Sequence, residues 1–143
     1  MYGQWRTRLR EIAEAHRPKK IELYQKFMDE YVRILRESRE GRLQIADQGG
    51  EPSEEFKEFY FSFNRDLILW GSAGVIRAWG RFVGLGIQDP AGVLSRVDAL
   101  LKEIRADLGN SNRGLSKGDL IKLFLSDPSE YDRIQEDRMK DNT

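Results

Sequence analysis

Cysteine is absent from this 143-residue chain, which removes structural disulfides, zinc–thiolate sites and thiol nucleophiles at once. The absence fits a reducing compartment. Histidine is nearly absent too. His16 is the only one, and it lies in a basic N-terminal stretch away from any nucleophile pattern. Triads, dyads and multi-histidine metal sites are therefore excluded. No apolar run approaches the roughly 20 residues that a membrane-spanning helix needs, and the first residues lack the apolar stretch of a secretory signal. These two absences lead to the expectation of a soluble, cytoplasmic protein. Sustained alternation of apolar and polar residues is missing, and valine and threonine are scarce, so no sheet is expected. Net charge is missing as well, with 24 basic residues against 24 acidic ones. Nucleic acid is a poor partner for such a chain, because generic affinity for it comes mainly from neutralising phosphates.

What is present is helical periodicity. Ile21, Tyr24, Phe27, Met28, Tyr31, Ile34 and Leu35 recur three or four apart with charges between them, the stripe of a core-facing helix. That first segment runs from about Gln4 to Ala46. Pro18 interrupts it, so the main helix is expected to start there, after a kinked or separate amphipathic piece bearing Trp5, Leu9 and Ile12. Gln48 to Pro52 is the clearest break. Ser53 then caps a second helix with Glu54 and Glu55 in its first turn. Phe56, Phe59, Tyr60, Phe63, Leu67 and Trp70 line this helix. Ser72 has the form of a cap for a separate third helix carrying Val75, Ile76, Trp79, Phe82 and Val83, but no polar loop intervenes across Gly71-Ser72, so one continuous or slightly kinked helix is the favoured expectation. Asp89-Pro90 opens the next, which carries Val93, Leu94, Val97, Leu100, Leu101, Ile104 and Leu108 and stops at Gly109 as a left-handed C-cap. A short last helix holds Leu120, Ile121, Phe124 and Leu125. From Asp127-Pro128 onward the apolar period is lost and fraying is expected.

The expected fold is all-α: an up-down bundle of four to five helices with a long first helix. Residues 1–17 form a basic amphipathic extension, 18–126 the bundle, and 127–143 a polar acidic tail.

The run from Phe63 to Trp79, with Leu69-Trp70-Gly71-Ser72 at its centre, is followed by Ile104-Arg-Ala-Asp-Leu-Gly109 and Gly114-Leu-Ser-Lys-Gly-Asp-Leu120. Over roughly residues 18–126 these segments resemble a group of uncharacterised prokaryotic proteins with similar "LWGS…VI+AW", "IR+DLG" and "L+KGDL" stretches. The resemblance implies a helical fold and a bacterial, archaeal or viral source. In such proteins the helical unit often follows membrane-spanning helices, which implies that residues 5–20 here are juxtamembrane. It implies no activity.

Three groups of residues are candidate sites. Gly109 and Gly114 have the spacing of a phosphate loop, but Leu115 stands where the lysine belongs and a helix precedes it, so it reads as a connecting loop. A weaker anion reading uses the free amides opening the last helix together with Arg113, Ser116 and Lys117. Asp119 opposes it as a competing cap for the same donors. Arg65, Arg105, Asp107 and Asp119 are charges in or beside apolar segments. They either line a pocket as a polar cluster or, with Arg105 paired to a carboxylate across the bundle, fix helix register. The remaining carboxylates read as solvated faces, and no Glu-x-x-His pair of the di-iron kind occurs, so no metal, cofactor or catalytic set is expected. The functional expectation is a helical interaction or assembly module. Its partner is another protein or a second copy, with homodimerisation along the first helix. The alternative is a component at a membrane surface, touching it through residues 1–20, or one sensing an anion or nucleotide.

Overall fold

The structure is a computed structural model that describes residues 2–39, 53–85 and 90–141. Among these it contains no strand, and its helices are α1 (Tyr2–Arg39), α2 (Glu54–Trp70), α3 (Ala73–Leu85), α4 (Pro90–Asp107) and α5 (Ser129–Asp141), with one 3-10 turn, Ile121–Phe124. The all-α fold with a long first helix is as the periodicity requires. None of the helices is long and apolar enough to cross a membrane. The chain divides into two compact units, residues 1–71 and 72–143. Residues 40–52, with the expected break at Gln48–Pro52, and Asp89, the expected cap, lie outside the described residues.

In the first unit α1 and α2 form an antiparallel hairpin. The order of contacts establishes the direction: Arg33 faces Glu55 at 3.9 Å, Phe27 meets Phe63 with ring centroids 5.5 Å apart, and His16 meets Trp70 edge-on at 5.3 Å. Leu23, Tyr24 and Phe27 of α1 and Phe63 and Leu67 of α2 are buried, whereas Ile21 is 38% exposed. The inward arc of α1 is thus centred on Leu23 and Phe27, turned away from Ile21. α1 runs without interruption through Pro18, contrary to the expected start there. Proline removes one i→i−4 bond, here to the carbonyl of Glu14. Both residues are exposed, so water reaches the orphaned carbonyl.

Tyr31 stacks on Phe27 with centroids 6.1 Å apart, and burial pushes its hydroxyl up to about 12 from the usual 10. Below pH 10 the phenol is neutral in both folded and unfolded chains and its contribution is intact. Between pH 10 and 12 the unfolded chain loses the proton first, which favours unfolding. Stability is therefore expected to fall across that window by an amount on the order of 2 kcal/mol. Tyr31→Phe should flatten the decline in urea titrations, and an unchanged slope would refute the assignment.

The expected continuous helix across residues 70–73 does not form. Gly71 is extended (φ −78°, ψ 153°) and ends α2. Ser72 Oγ accepts from the amide of Val75 at 3.2 Å, capping α3 as a separate helix. Ser53 caps α2 in the same way, accepting from Phe56 at 3.3 Å.

In the second unit α3 packs on α4, burying Val75, Ala78, Trp79, Val97, Leu100, Leu101 and Ile104. The helices come close at Gly74, where the Glu103 carboxylate fills the space a Cβ would take. α4 ends as expected at Gly109 (φ +87°), with Asn110 N–H bonding the Arg105 carbonyl at 2.8 Å and Gly109 N–H that of Ala106 at 3.0 Å, a Schellman closure. Beyond it the structure departs from the expected frayed tail. Residues 117–120 are turns, the short last helix is reduced to the 3-10 turn, and residues 129–141 form α5, anchored by Tyr131, which is 4% exposed.

Candidate functional site

The most organised polar region of the second unit lies along one edge of α4. Asp98, Lys102 and Arg105 follow at i, i+4 and i+7, which places them in line beside the apolar arc of Val97, Leu101 and Ile104. The segment after α4 folds back along this line. Arg105 Nε donates to Asn112 Oδ1 at 3.1 Å and its Nη2 to the Ser111 carbonyl at 3.0 Å, while Asn112 Nδ2 donates to the Lys102 carbonyl at 2.8 Å. Lys102 Nζ donates to the Ser116 carbonyl at 2.8 Å. At the far end Asp98, 2% exposed, accepts from the amides of Gly118 (2.9 Å), Leu120 (2.9 Å) and Ile121 (3.1 Å), with Lys102 Nζ at 3.2 Å as counter-charge. Such a carboxylate tolerates burial because its oxygens are occupied by donors and its charge is paired.

This arrangement decides what the candidate residues do. The amides that an anion would need after Ser116 already point at Asp98, and the Ser116 amide donates to Asp119 Oδ2 at 2.7 Å. An internal carboxylate therefore takes the place of an external phosphate. Asp119 acts as a local cap, as its spacing from Ser116 implied. The Arg113 and Lys117 side chains are exposed. Arg105 bonds to the loop and not to a carboxylate across the helices, so its role in register is replaced by a role in holding residues 111–112. Asp107 is half-buried at the last position of α4. Arg65 stands in the first unit, exposed, with Asp66 at 3.0 Å and Ser62 at 3.5 Å; that carboxylate holds its guanidinium pKa above the usual value. Asp98 was missed by sequence reasoning because its partners lie 20 to 23 residues away.

Among the described residues no group of three or more His, Asp or Glu side chains is placed to hold a metal ion. What the first unit offers is apolar surface. On α2 the inward arc is taken by Phe56, Phe59, Phe63 and Leu67, yet Phe61, Ile68 and Leu69 on the outward side are 68%, 77% and 61% exposed. A shallow groove lined by Glu54, Lys57, Glu58, Phe61, Ser62 and Arg65 runs along this side. On α1, Trp5, Leu9 and Ile12 are 63%, 51% and 50% exposed. Comparison with protein-family models, with curated proteins and with solved structures gives no match to the chain.

Proposed function

We propose that the chain is a helical interaction module that self-associates through the outward side of α2. The observation that carries this reading is the exposure of Phe61, Ile68 and Leu69 on a helix whose other side is already packed. A helix that is apolar on two sides calls for two neighbours, and α1 supplies only one.

The charges on that side favour a second copy as the missing neighbour. Acids Glu54 and Glu58 lie toward its N-terminal end and Arg65 toward its C-terminal end. A two-fold axis across the middle of α2 sets Glu58 of one protomer near Arg65 of its partner, twice, with the Phe61 rings between them.

Light scattering on size-exclusion fractions over a concentration series tests the reading. A dimer is expected, and Phe61→Ser with Ile68→Ser should weaken it by at least about tenfold, since anchors at an interface centre each contribute more than about 1 kcal/mol. Arg65→Glu alone should weaken it, and adding Glu58→Arg should restore it. A protomer that stays single at the highest concentration, or a dimer indifferent to these changes, removes the proposal.

A further inference from the structure

α1 continues past the end of α2. Trp70, the last residue of α2, meets His16, so residues 2–15 of α1 extend beyond its partner helix for roughly 20 Å. The stripe that grips α2 continues along this extension, with Leu23 and Phe27 leading back through His16 to Ile12, Leu9 and Trp5 at steps of three, four or seven. The extension therefore presents an apolar face that α2 does not cover.

The charges around this face are sorted. At helical spacing Arg8 and Lys19 border the stripe on one side and Arg6 and Arg17 on the other, while Glu14 falls on the back of the helix, flanked by Arg10 and Glu11. All of these side chains are exposed. A second copy is a poor occupant for such a surface. Whether the two stripes met parallel or antiparallel, a cationic border would lie against a cationic border. An anionic lipid surface suits it. A tryptophan and two aliphatic side chains enter the headgroup boundary, and long-stemmed arginines on both borders reach the lipid phosphates from the edges.

We propose that residues 2–17 of α1 lie in the plane of an anionic bilayer surface, with Trp5, Leu9 and Ile12 inserted and Arg6, Arg8, Arg17 and Lys19 paired with headgroups. This surface is separate from the outward side of α2, so the two assignments stand or fall independently.

The full chain is to be co-sedimented with vesicles of phosphatidylcholine alone and of an equimolar mixture with phosphatidylglycerol, at low and high salt. Binding is expected to the mixed vesicles only and to weaken as salt rises. Arg8→Gln and Arg17→Gln should each reduce the partition coefficient about fivefold. Trp5→Ser with Leu9→Ser should abolish binding while circular dichroism stays unchanged. The emission of Trp5, isolated by difference against Trp5→Phe, should shift to the blue on adding mixed vesicles. The variant Phe61→Ser with Ile68→Ser should bind vesicles as the parent does. No binding, equal binding to both vesicle types, or binding undiminished by the arginine changes overturns the proposal. A blue shift of Trp5 that grows with protein concentration in the absence of lipid assigns the stripe to a second copy and overturns it equally.

Discussion

Asp98→Ala is expected to lower the free energy of unfolding by about 4 kcal/mol, a large share of the roughly 5–15 kcal/mol that holds a typical domain together. The cause is asymmetric. Asp98 is 2% exposed, and its carboxylate is the acceptor for the amides of Gly118, Leu120 and Ile121 and the counter-charge of Lys102. Alanine leaves three amide donors to find other acceptors and strips Lys102 of its counter-charge, and each buried donor left unpaired costs about 1–3 kcal/mol. Partial hydration of the loosened loop keeps the total below the sum. Asn at the same position should lose nearly as much. Its oxygen can still accept from Leu120 and Ile121, but its amide then faces the Gly118 N–H and the Lys102 ammonium, donor against donor. Urea unfolding followed by circular dichroism measures both variants. A loss below about 1 kcal/mol for Asp98→Ala would mean the loop is held by other means.

Asp98 also shows where sequence reasoning stopped. Features whose partners are local were legible. Ser53 with Phe56, Gly109 with Ala106, Asn110 with Arg105, and Asp119 with Ser116 all join residues within five positions. The inward aromatic arc of α2 was legible for the same reason, because its period lies within one helix. Asp98 joins segments some twenty residues apart. Its one local trace is its place at the border of the apolar arc, a turn before Leu101 and Lys102. Pro18 misled because the missing bond falls on an exposed stretch of backbone, where water takes the place of the lost donor. α5 was overlooked although its start carries the same Asp-Pro signal used for α4. Asp127 Oδ1 accepts from the Ser129 amide at 3.1 Å and from its hydroxyl at 2.7 Å, bonds that also depress the Asp127 pKa. The outward side of α2 went unread in the sequence although subtraction would have found it. Once Phe56, Phe59, Phe63 and Leu67 point inward, Phe61, Ile68 and Leu69 have nowhere to go but out.

Gly118→Ala should cost about 3 kcal/mol, and the way that cost divides tests how α5 is held. Gly118 has φ +87°, where an L-residue is disfavoured by roughly 1 kcal/mol. A Cβ there would also come within 2.8 Å of Cε1, Cζ and Cδ1 of Tyr131, so the ring must move and with it the residue that anchors α5. Gly114 provides the control. It has the same φ of +87° with nothing within 4 Å of a built Cβ, so Gly114→Ala should show the backbone cost alone. The difference between the two alanines is then the contact with Tyr131. Tyr131→Leu removes the ring and carries its own penalty, losing both packing and the stack of the Lys122 ammonium at 5.4 Å from the ring centroid. In the double variant Gly118→Ala with Tyr131→Leu, however, the clash is gone, so the two losses should fall short of additive by more than about 1 kcal/mol. Strict additivity would show that Tyr131 does not rest on Gly118 in solution, and α5 would then lack the anchor that fixes it to the second unit.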